Sequence, residues 1–169
     1  HLIAKMAKNF GSILATGDGA DEIFGGYSFR YSKFLNLSNS SDDWKIKTKN
    51  YLNCHNRDWV SDQKNLFGKS IPFNWNNIYS YFKQFFLNPL EPLHQVMLAD
   101  FNGKLLYNML PLYAKFHDYF EIKNITPILN QKLIRFACKL PNELKYNSST
   151  DTGKLLLLEL LDRYNVRHL

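Results

Sequence analysis

The residues of this sequence whose types and spacing could do chemistry lie in the stretch 16–27, TGDGADEIFGGY. Gly17 and Gly19 bracket Asp18, and Asp21 follows at the expected first turn of a helix. Glycines let a backbone turn tightly and bring its N–H groups close to an anion, and a helix N-terminus adds positive potential. Carboxylates beside a phosphate need a divalent cation between them, since like charges repel. The pattern predicts a corner that binds a Mg²⁺–phosphate group; an acidic turn with a capping aspartate is the alternative.

The element that must position this corner is a short strand over residues 12–15, where β-branched and apolar residues predict burial. A lone strand cannot form a sheet, so we expect its neighbours to come from a missing N-terminal part or from another chain. Residues 122–125 are predicted to be an extended connector. Helices are predicted over residues 1–10, 28–37, 44–52, 76–87, 93–109, 112–120 and 128–140, and after residue 152.

Local signals mark several ends of these helices. Ser41 or Asp42 is predicted to cap the helix that starts at residue 44, and Thr152 to cap the last one. Pro111 is predicted to interrupt the helix before it. Residues 59–74 are predicted to be irregular. Residues 54–58, CHNRD, contain metal-binding and nucleophilic side chains, but no nearby residues complete a ligand set, which favours a structural or surface role.

Composition narrows the class of protein. With 169 residues and 45% hydrophobic content, the chain suits one domain, or a large part of one, with a packed core. The net charge of +6 comes from scattered basic residues, so a nucleic-acid partner is not favoured. No apolar run approaches the roughly 20 residues that span a membrane, and no leader is visible, which predicts a cytoplasmic location. Because the chain opens with His1 and not with Met, we expect a fragment of a longer protein.

Three segments resemble the synthetase domain of the glutamine-hydrolysing asparagine synthetases and the related β-lactam synthetases. Residues 16–27 are similar to that family's S/T-G-x-G-A-D-E-x-F-G-G-Y signature almost letter for letter. Residues 125–141 are similar to its P-F-L-D … L … F-A … P run. Lys154 and the leucines after it are similar to its K-x-x-L helix start. The resemblance therefore covers the chain from end to end.

This resemblance implies an α/β fold. Residues 1–169 are expected to be the C-terminal portion of an asparagine synthase-like domain, without the N-terminal half that carries the pyrophosphate loop. The parent fold is expected to be the adenine-nucleotide α-hydrolase-like (HUP, ATP pyrophosphatase) sandwich. The part of it present here is expected to be predominantly α-helical with one strand.

The resemblance also implies a reaction. ATP and Mg²⁺ convert aspartate, or a related carboxylate, into an acyl-adenylate, and ammonia or an internal amine then displaces AMP. By resemblance, Asp21 binds the metal and pyrophosphate, with Gly17 and Gly19 forming the turn of the ATP site. Lys154 stabilises charge in the adenylate steps, although a solvated surface lysine is the alternative. Asp18 stands where relatives carry glutamate or tyrosine, so it keeps a catalytic carboxylate with a shorter reach.

The sequence also departs from the family. Lys123, Ile125 and Asn130 stand where the pattern G-x-E-x-R-x-P-F-L-D has glutamate, arginine and aspartate. That region shapes the acceptor side of the family's site, so the departures leave the substrate open. The pyrophosphate loop S-G-G-x-D-S is absent, as is the N-terminal cysteine that hydrolyses glutamine in a glutaminase domain. We therefore expect these residues to be inactive alone and to need the missing half, with a glutaminase domain as a further candidate partner.

Two alternatives to asparagine synthesis stay open. The three substituted positions are also consistent with a non-catalytic nucleotide-binding or interaction module of the same fold. A relative that forms a cyclic or peptide amide would keep Asp21 and Lys154 and change only the acceptor pocket.

Overall fold

The computed structural model describes residues 1–55 and 74–168. They fall into two compact units, one made of His1–Ser28 and Asp100–Leu169 and the other of Phe29–Ala99. The predicted irregular stretch lies outside the described residues except for Asn74, and so do three members of the 54–58 cluster. Of the other two members, Cys54 is a buried free thiol and His55 contacts the Tyr51 carbonyl through Nδ1 at 3.0 Å.

The described residues are mainly helical. The α-helices are α1 (Leu2–Ala7), α2 (Ala20–Phe24), α3 (Ser28–Leu37), α4 (Trp44–Asn53), α5 (Trp75–Phe86), α6 (Pro92–Ala99), α7 (Leu110–Tyr119), α8 (Gln131–Lys139) and α9 (Leu155–Arg163). A π-helical segment covers Asp100–Met109, and 3₁₀ turns cover Pro127–Leu129 and Asn142–Leu144. The strands are β1 (Ile13–Ala15), β2 (Lys123–Ile125), β3 (Tyr146–Asn147) and β4 (Thr152–Gly153). No described helix is both long and apolar enough to pass through a bilayer.

The prediction of one strand without a partner in this chain is wrong. β1 pairs in parallel with β2, with Leu14 opposite Asn124, and the Thr16 N–H extends the ladder by donating to the Ile125 carbonyl at 2.9 Å. β3 and β4 form a separate antiparallel pair. The predicted connector is thus a strand. Its three residues, Lys-Asn-Ile, are too few and too polar to show a strand period in the sequence.

Most helices agree with the sequence pattern, and their ends explain the differences. α3 has its predicted bounds, whereas the predicted helix 93–109 is divided between α6 and the π-helical segment. Pro111 does not interrupt a helix; it lies in the first turn of α7, where a residue without an N–H is tolerated. The cap of α4 is Asp43, which accepts the Lys45 N–H at 2.8 Å, and not Ser41 or Asp42.

The first unit has a core that fixes the position of α2. Ile23 and Phe24 of α2 are buried with Ala137 and Leu140, at the end of α8, and Leu156 from α9 packs against them. The short α2 is therefore held between two longer helices, even though an isolated helix of five residues would not be stable.

The second unit is built around aromatic rings. Tyr31 and Phe34 of α3, Tyr51 of α4, and Phe85 and Phe86 of α5 are all buried. Phe86 lies 5.7 Å from Phe34 and 5.6 Å from Tyr51, measured between ring centroids. These distances are typical of aromatic pairs in a core. The aromatic residues of α5 are core residues, as the sequence predicts.

Candidate functional site

The turn between β1 and α2 forms the corner predicted from the sequence. Gly19 has a φ of 88° and lies at the N-cap of α2, and an added Cβ there would collide with the Leu129 side chain. Only glycine fits both requirements. Gly17, in contrast, has no neighbour within 4 Å of an added Cβ, and its carbonyl accepts the Ala20 N–H at 3.2 Å. Gly17 therefore leaves open space beside the turn, where a ligand can approach the backbone.

Asp18 is held by its own loop. Its Oδ2 accepts a hydrogen bond from the Thr16 hydroxyl at 2.7 Å, which turns the carboxylate back toward the strand end. Tyr113 of α7 lies near enough to feel its charge: burial, and then the negative charges of Asp18 and Glu22, raise the pKa of the Tyr113 hydroxyl. Tyr113 thus stays a protonated donor near Asp18, and sequence reasoning assigned it no role.

Asp21 and Lys154 come together across the fold. The Lys154 Nζ lies 2.8 Å from the Asp21 Oδ1, and the two side chains are 37% and 36% exposed. An ion pair this accessible contributes less than about 1 kcal/mol to stability. Two of the predicted site residues are therefore paired at a surface that a ligand can reach, with little gain in stability from the pairing itself.

The backbone of Lys154 is held in an unfavourable conformation. Its φ of 56° and ψ of 31° are left-handed, and it stands at the N-cap of α9. A non-glycine residue in this region costs on the order of 1 kcal/mol, and a cation at a helix N-terminus opposes the helix dipole. The Lys154 N–H donates to the Phe24 carbonyl at 3.0 Å, which ties it to the end of α2. Thr152, the predicted cap, lies in β4 instead.

Three residues after α2, here named the glycine strap (Gly25, Gly26 and Tyr27), lie directly against this ion pair. Gly25 has a φ of 80°, and the N–H groups of Gly25 and Gly26 donate to the Asp21 carbonyl at 3.1 and 2.9 Å. An added Cβ at Gly26 would collide with the Asp21 Oδ1 and the Lys154 Cε. Sequence reasoning quoted these glycines without giving them a role. Their signal was their position as adjacent glycines directly after a helix.

A buried carboxylate supports the strap. Glu22 is 2% exposed, and its Oε1 accepts the Tyr27 hydroxyl proton at 2.8 Å. Burial raises the pKa of Glu22, while the hydrogen bond from Tyr27 and the charge of Lys104 act in the opposite direction. Burial and the Glu22 carboxylate also raise the pKa of Tyr27, and the Lys104 Nζ lies 3.7 Å from the centre of its ring. Tyr27 is therefore a protonated donor to Glu22.

The three departures from the family pattern lie on β2 and at the start of α8. Lys123 and Ile125 are exposed residues of β2. The Asn130 Oδ1 accepts the Lys132 N–H at 2.9 Å and so caps α8. Because aspartate caps a helix about as well as asparagine, this substitution keeps the local structure.

The donor set at the corner matches only one kind of metal site. Among the described residues no group of three or more His, Cys, Asp or Glu side chains is arranged to hold a metal ion. Mg²⁺ often binds through one or two carboxylates and completes its shell with substrate phosphates and water. The accessible Asp21 carboxylate therefore fits a Mg²⁺ ion that arrives with a phosphate-bearing substrate, and does not by itself form a site for the bare ion.

Comparison with known proteins gives one match. The family model described as asparagine synthase matches residues 1–168, which is nearly the whole chain. Neither the curated proteins nor the solved structures include a match.

Proposed function

The chain belongs to the asparagine synthase family, and we propose that it forms one wall of an ATP-pyrophosphatase site that activates aspartate, or a related carboxylate, for amide formation. The family as a whole consists of ATP-dependent ligases that form amide bonds. Within it, asparagine from aspartate and ammonia or glutamine is the reaction we assign first. A relative that closes a cyclic or peptide amide is the alternative product, since Lys123 and Ile125 change the acceptor side.

The proposed reaction has two steps. A carboxylate oxygen of the acid attacks the α-phosphorus of ATP, the bond to the β-phosphate oxygen breaks, and pyrophosphate leaves with the bonding electrons. The nitrogen of ammonia then attacks the acyl carbon of the adenylate, and AMP leaves. Negative charge grows on pyrophosphate in the first step and on the acyl oxygen in the second, so a fixed cation lowers both barriers. Lys154 is the residue to which we assign this role.

The observation that carries the proposal is the placement of Lys154. Its left-handed backbone and its charge at the start of α9 are both unfavourable, and the exposed pair with Asp21 contributes little stability in return. A strained non-glycine residue that brings a cation to an accessible carboxylate is typical of a functional site. A solvated surface lysine, the alternative stated above, has no need of this backbone conformation.

Asp21 is the residue that would hold Mg²⁺, together with the phosphates of the substrate. The ion would supply neutralisation of the pyrophosphate leaving group. Asp21 also keeps the Lys154 ammonium close to that group at 2.8 Å, while Gly17 leaves the turn open for the phosphate oxygens. Asp18, held by Thr16, lies on the same turn, where we propose that it contacts the reacting acid or amine.

We further propose that the opposite wall comes from an N-terminal half of the synthetase domain that carries the pyrophosphate loop. Within the described residues, the β1–β2 pair has no third strand on either edge, and Ile13 is 63% exposed. Strands of a parallel sheet are normally covered on both faces. Leu2, Ile3 and Met6 of α1 are also exposed, which gives an apolar surface suited to such a partner.

Binding of Mg²⁺–ATP tests this proposal in the protein expressed with its upstream coding sequence. Isothermal titration calorimetry should give binding that Asp21→Ala weakens by about 100-fold or more, since the metal loses its carboxylate. Asp162→Ala is the matched control, because Asp162 pairs only with Arg167 at the surface of α9, at 2.7 Å among the described residues. Unchanged affinity in Asp21→Ala would contradict the role of Asp21. Binding without any reaction would favour the non-catalytic nucleotide-binding module.

A further inference from the structure

The glycine strap touches both members of the Asp21–Lys154 pair, so its position controls theirs. The side of Gly26 is filled by the Asp21 carboxylate and the Lys154 methylene chain, with no space for a Cβ. The side of Gly153, the residue before Lys154, is filled in the same way by the Gly25 carbonyl. Movement of the strap away from α2 would therefore remove the wall against which the Lys154 side chain lies.

The strap is attached to α2 at its beginning through the backbone. The N–H groups of Gly25 and Gly26 share the Asp21 carbonyl, and the Lys154 N–H takes the neighbouring Phe24 carbonyl at 3.0 Å. These three bonds hold the start of the strap and the backbone of Lys154. They do not hold the far end of the strap, because glycine has no side chain with which to anchor it.

The far end is attached through Tyr27. Its hydroxyl donates to the Oε1 of Glu22 at 2.8 Å, so the strap returns to the helix on which Asp21 lies. Glu22 is buried, and the tyrosine ring is covered on one face by the Lys104 ammonium at 3.7 Å. A hydrogen bond to a buried carboxylate with a cation on the ring is a strong anchor for one tyrosine.

We propose that Glu22 and Tyr27 are positioning residues: their hydrogen bond anchors the glycine strap and so holds the Lys154 ammonium against Asp21. The value of that placement for the reaction rests on the proposed function. The placement itself does not, because it is a property of the folded chain and is measurable without substrate.

The test follows the ¹³Cε resonance of Lys154 by NMR, assigned by its loss in Lys154→Arg. Asp21→Asn calibrates the signal of a lysine released from the pair. Tyr27→Phe removes one hydroxyl and keeps the ring, and it should shift the resonance toward the Asp21→Asn position. The Gly26 amide should also exchange with solvent about tenfold faster, the loss expected when one hydrogen bond of an anchor is removed.

Rescue at Glu22 separates positioning from a general loss of structure. Glu22→Gln keeps an oxygen that can accept from Tyr27, so its Lys154 resonance should stay near the wild-type position. Glu22→Ala removes the acceptor and should reproduce Tyr27→Phe. Thr48→Val is the matched control, since it removes a buried hydroxyl with a hydrogen bond of 2.8 Å in the other unit and should leave Lys154 unchanged.

Three results would overturn the proposal: a wild-type Lys154 resonance in Tyr27→Phe, no rescue by Glu22→Gln, or an equal shift in Thr48→Val. A Lys154 resonance that Asp21→Asn does not move would also overturn it, since the pair would then be absent in solution. Failure of the proposed function looks different. In that case the strap variants would shift Lys154 as expected, but Lys154→Met would leave Mg²⁺–ATP turnover by the complete protein unchanged.

Discussion

The corner around Asp21 and the aromatic core of the second unit are built in opposite ways. Among the described residues, every positive φ lies in the first unit, and three of them, at Gly19, Gly25 and Lys154, surround the Asp21 turn. The second unit relies on buried rings such as Phe34 and Phe86 and on side-chain caps. Local preferences and the fold agree in the core and conflict at the corner. Such conflict is expected where residues are selected for chemistry and not for stability.

The core side of this comparison predicts the largest change in stability. Phe86→Ala removes a buried ring that packs on two others, and we expect the free energy of unfolding to fall by about 4 kcal/mol. Denaturation in urea measures it. Tyr81→Ala is the control on the same helix, because Tyr81 is 37% exposed and should lose much less. Equal losses for the two variants would mean that the rings of α5 do not form the core described here.

At the corner, the largest effect is predicted for Gly26→Ala. The new methyl group has no space between Asp21 and Lys154, so the variant should lose about 3 kcal/mol through overpacking. Gly17→Ala serves as the control, since an added Cβ there meets no atom within 4 Å. Its unfolding free energy should change by less than about 1 kcal/mol. A Gly17 variant as unstable as the Gly26 variant would contradict the glycine strap.

Lys145 gives a prediction with a pH dependence. It is 2% exposed beside the strap, and burial lowers the pKa of its ammonium, against a weaker opposite effect of Cys138. A lysine whose pKa is lower in the folded state costs stability below that pKa. The cost disappears as the pH rises toward the ordinary lysine value, because both states are then neutral. Lys145→Met should therefore be more stable than wild type by about 1 kcal/mol at pH 7, and the difference should shrink by pH 10.

A melting series across this pH range measures that difference. Lys132→Met is the control, since Lys132 is an exposed residue in the first turn of α8. A constant difference between Lys145→Met and wild type at every pH would show that the gain comes from packing and not from the buried charge.

The smallest predicted change in stability is at the residue most important for chemistry. Lys154→Gly relieves the left-handed strain, worth about 1 kcal/mol, and loses an exposed ion pair worth about 0.5 kcal/mol, so its stability should match wild type within about 0.5 kcal/mol. Any catalysis by the complete protein should nevertheless be lost. A large loss of stability in Lys154→Gly would move Lys154 to the structural side of the comparison.

The sequence predicted the second unit better than the first for the same physical reason. α3 follows from its pattern of apolar residues, and the aromatic residues of α5 are correctly predicted to be core. β2 was missed because three residues, mostly polar, carry no period, and pairing with β1 is a long-range contact. The signature predicted Asp21 and Lys154 as site residues. Their pairing and the support from Glu22 required the fold, since no local pattern reports which distant residues meet.

The central claim is that Asp21 and Lys154 act together in forming an acyl-adenylate. Exchange of labelled pyrophosphate into ATP by the complete protein, with Mg²⁺ and a carboxylate present, tests it most directly. We expect exchange that depends on the carboxylate and that falls at least about 100-fold in Asp21→Asn and in Lys154→Met, while Asp162→Asn retains it. A complete, folded protein that shows no exchange, or exchange that survives both substitutions, would contradict the account.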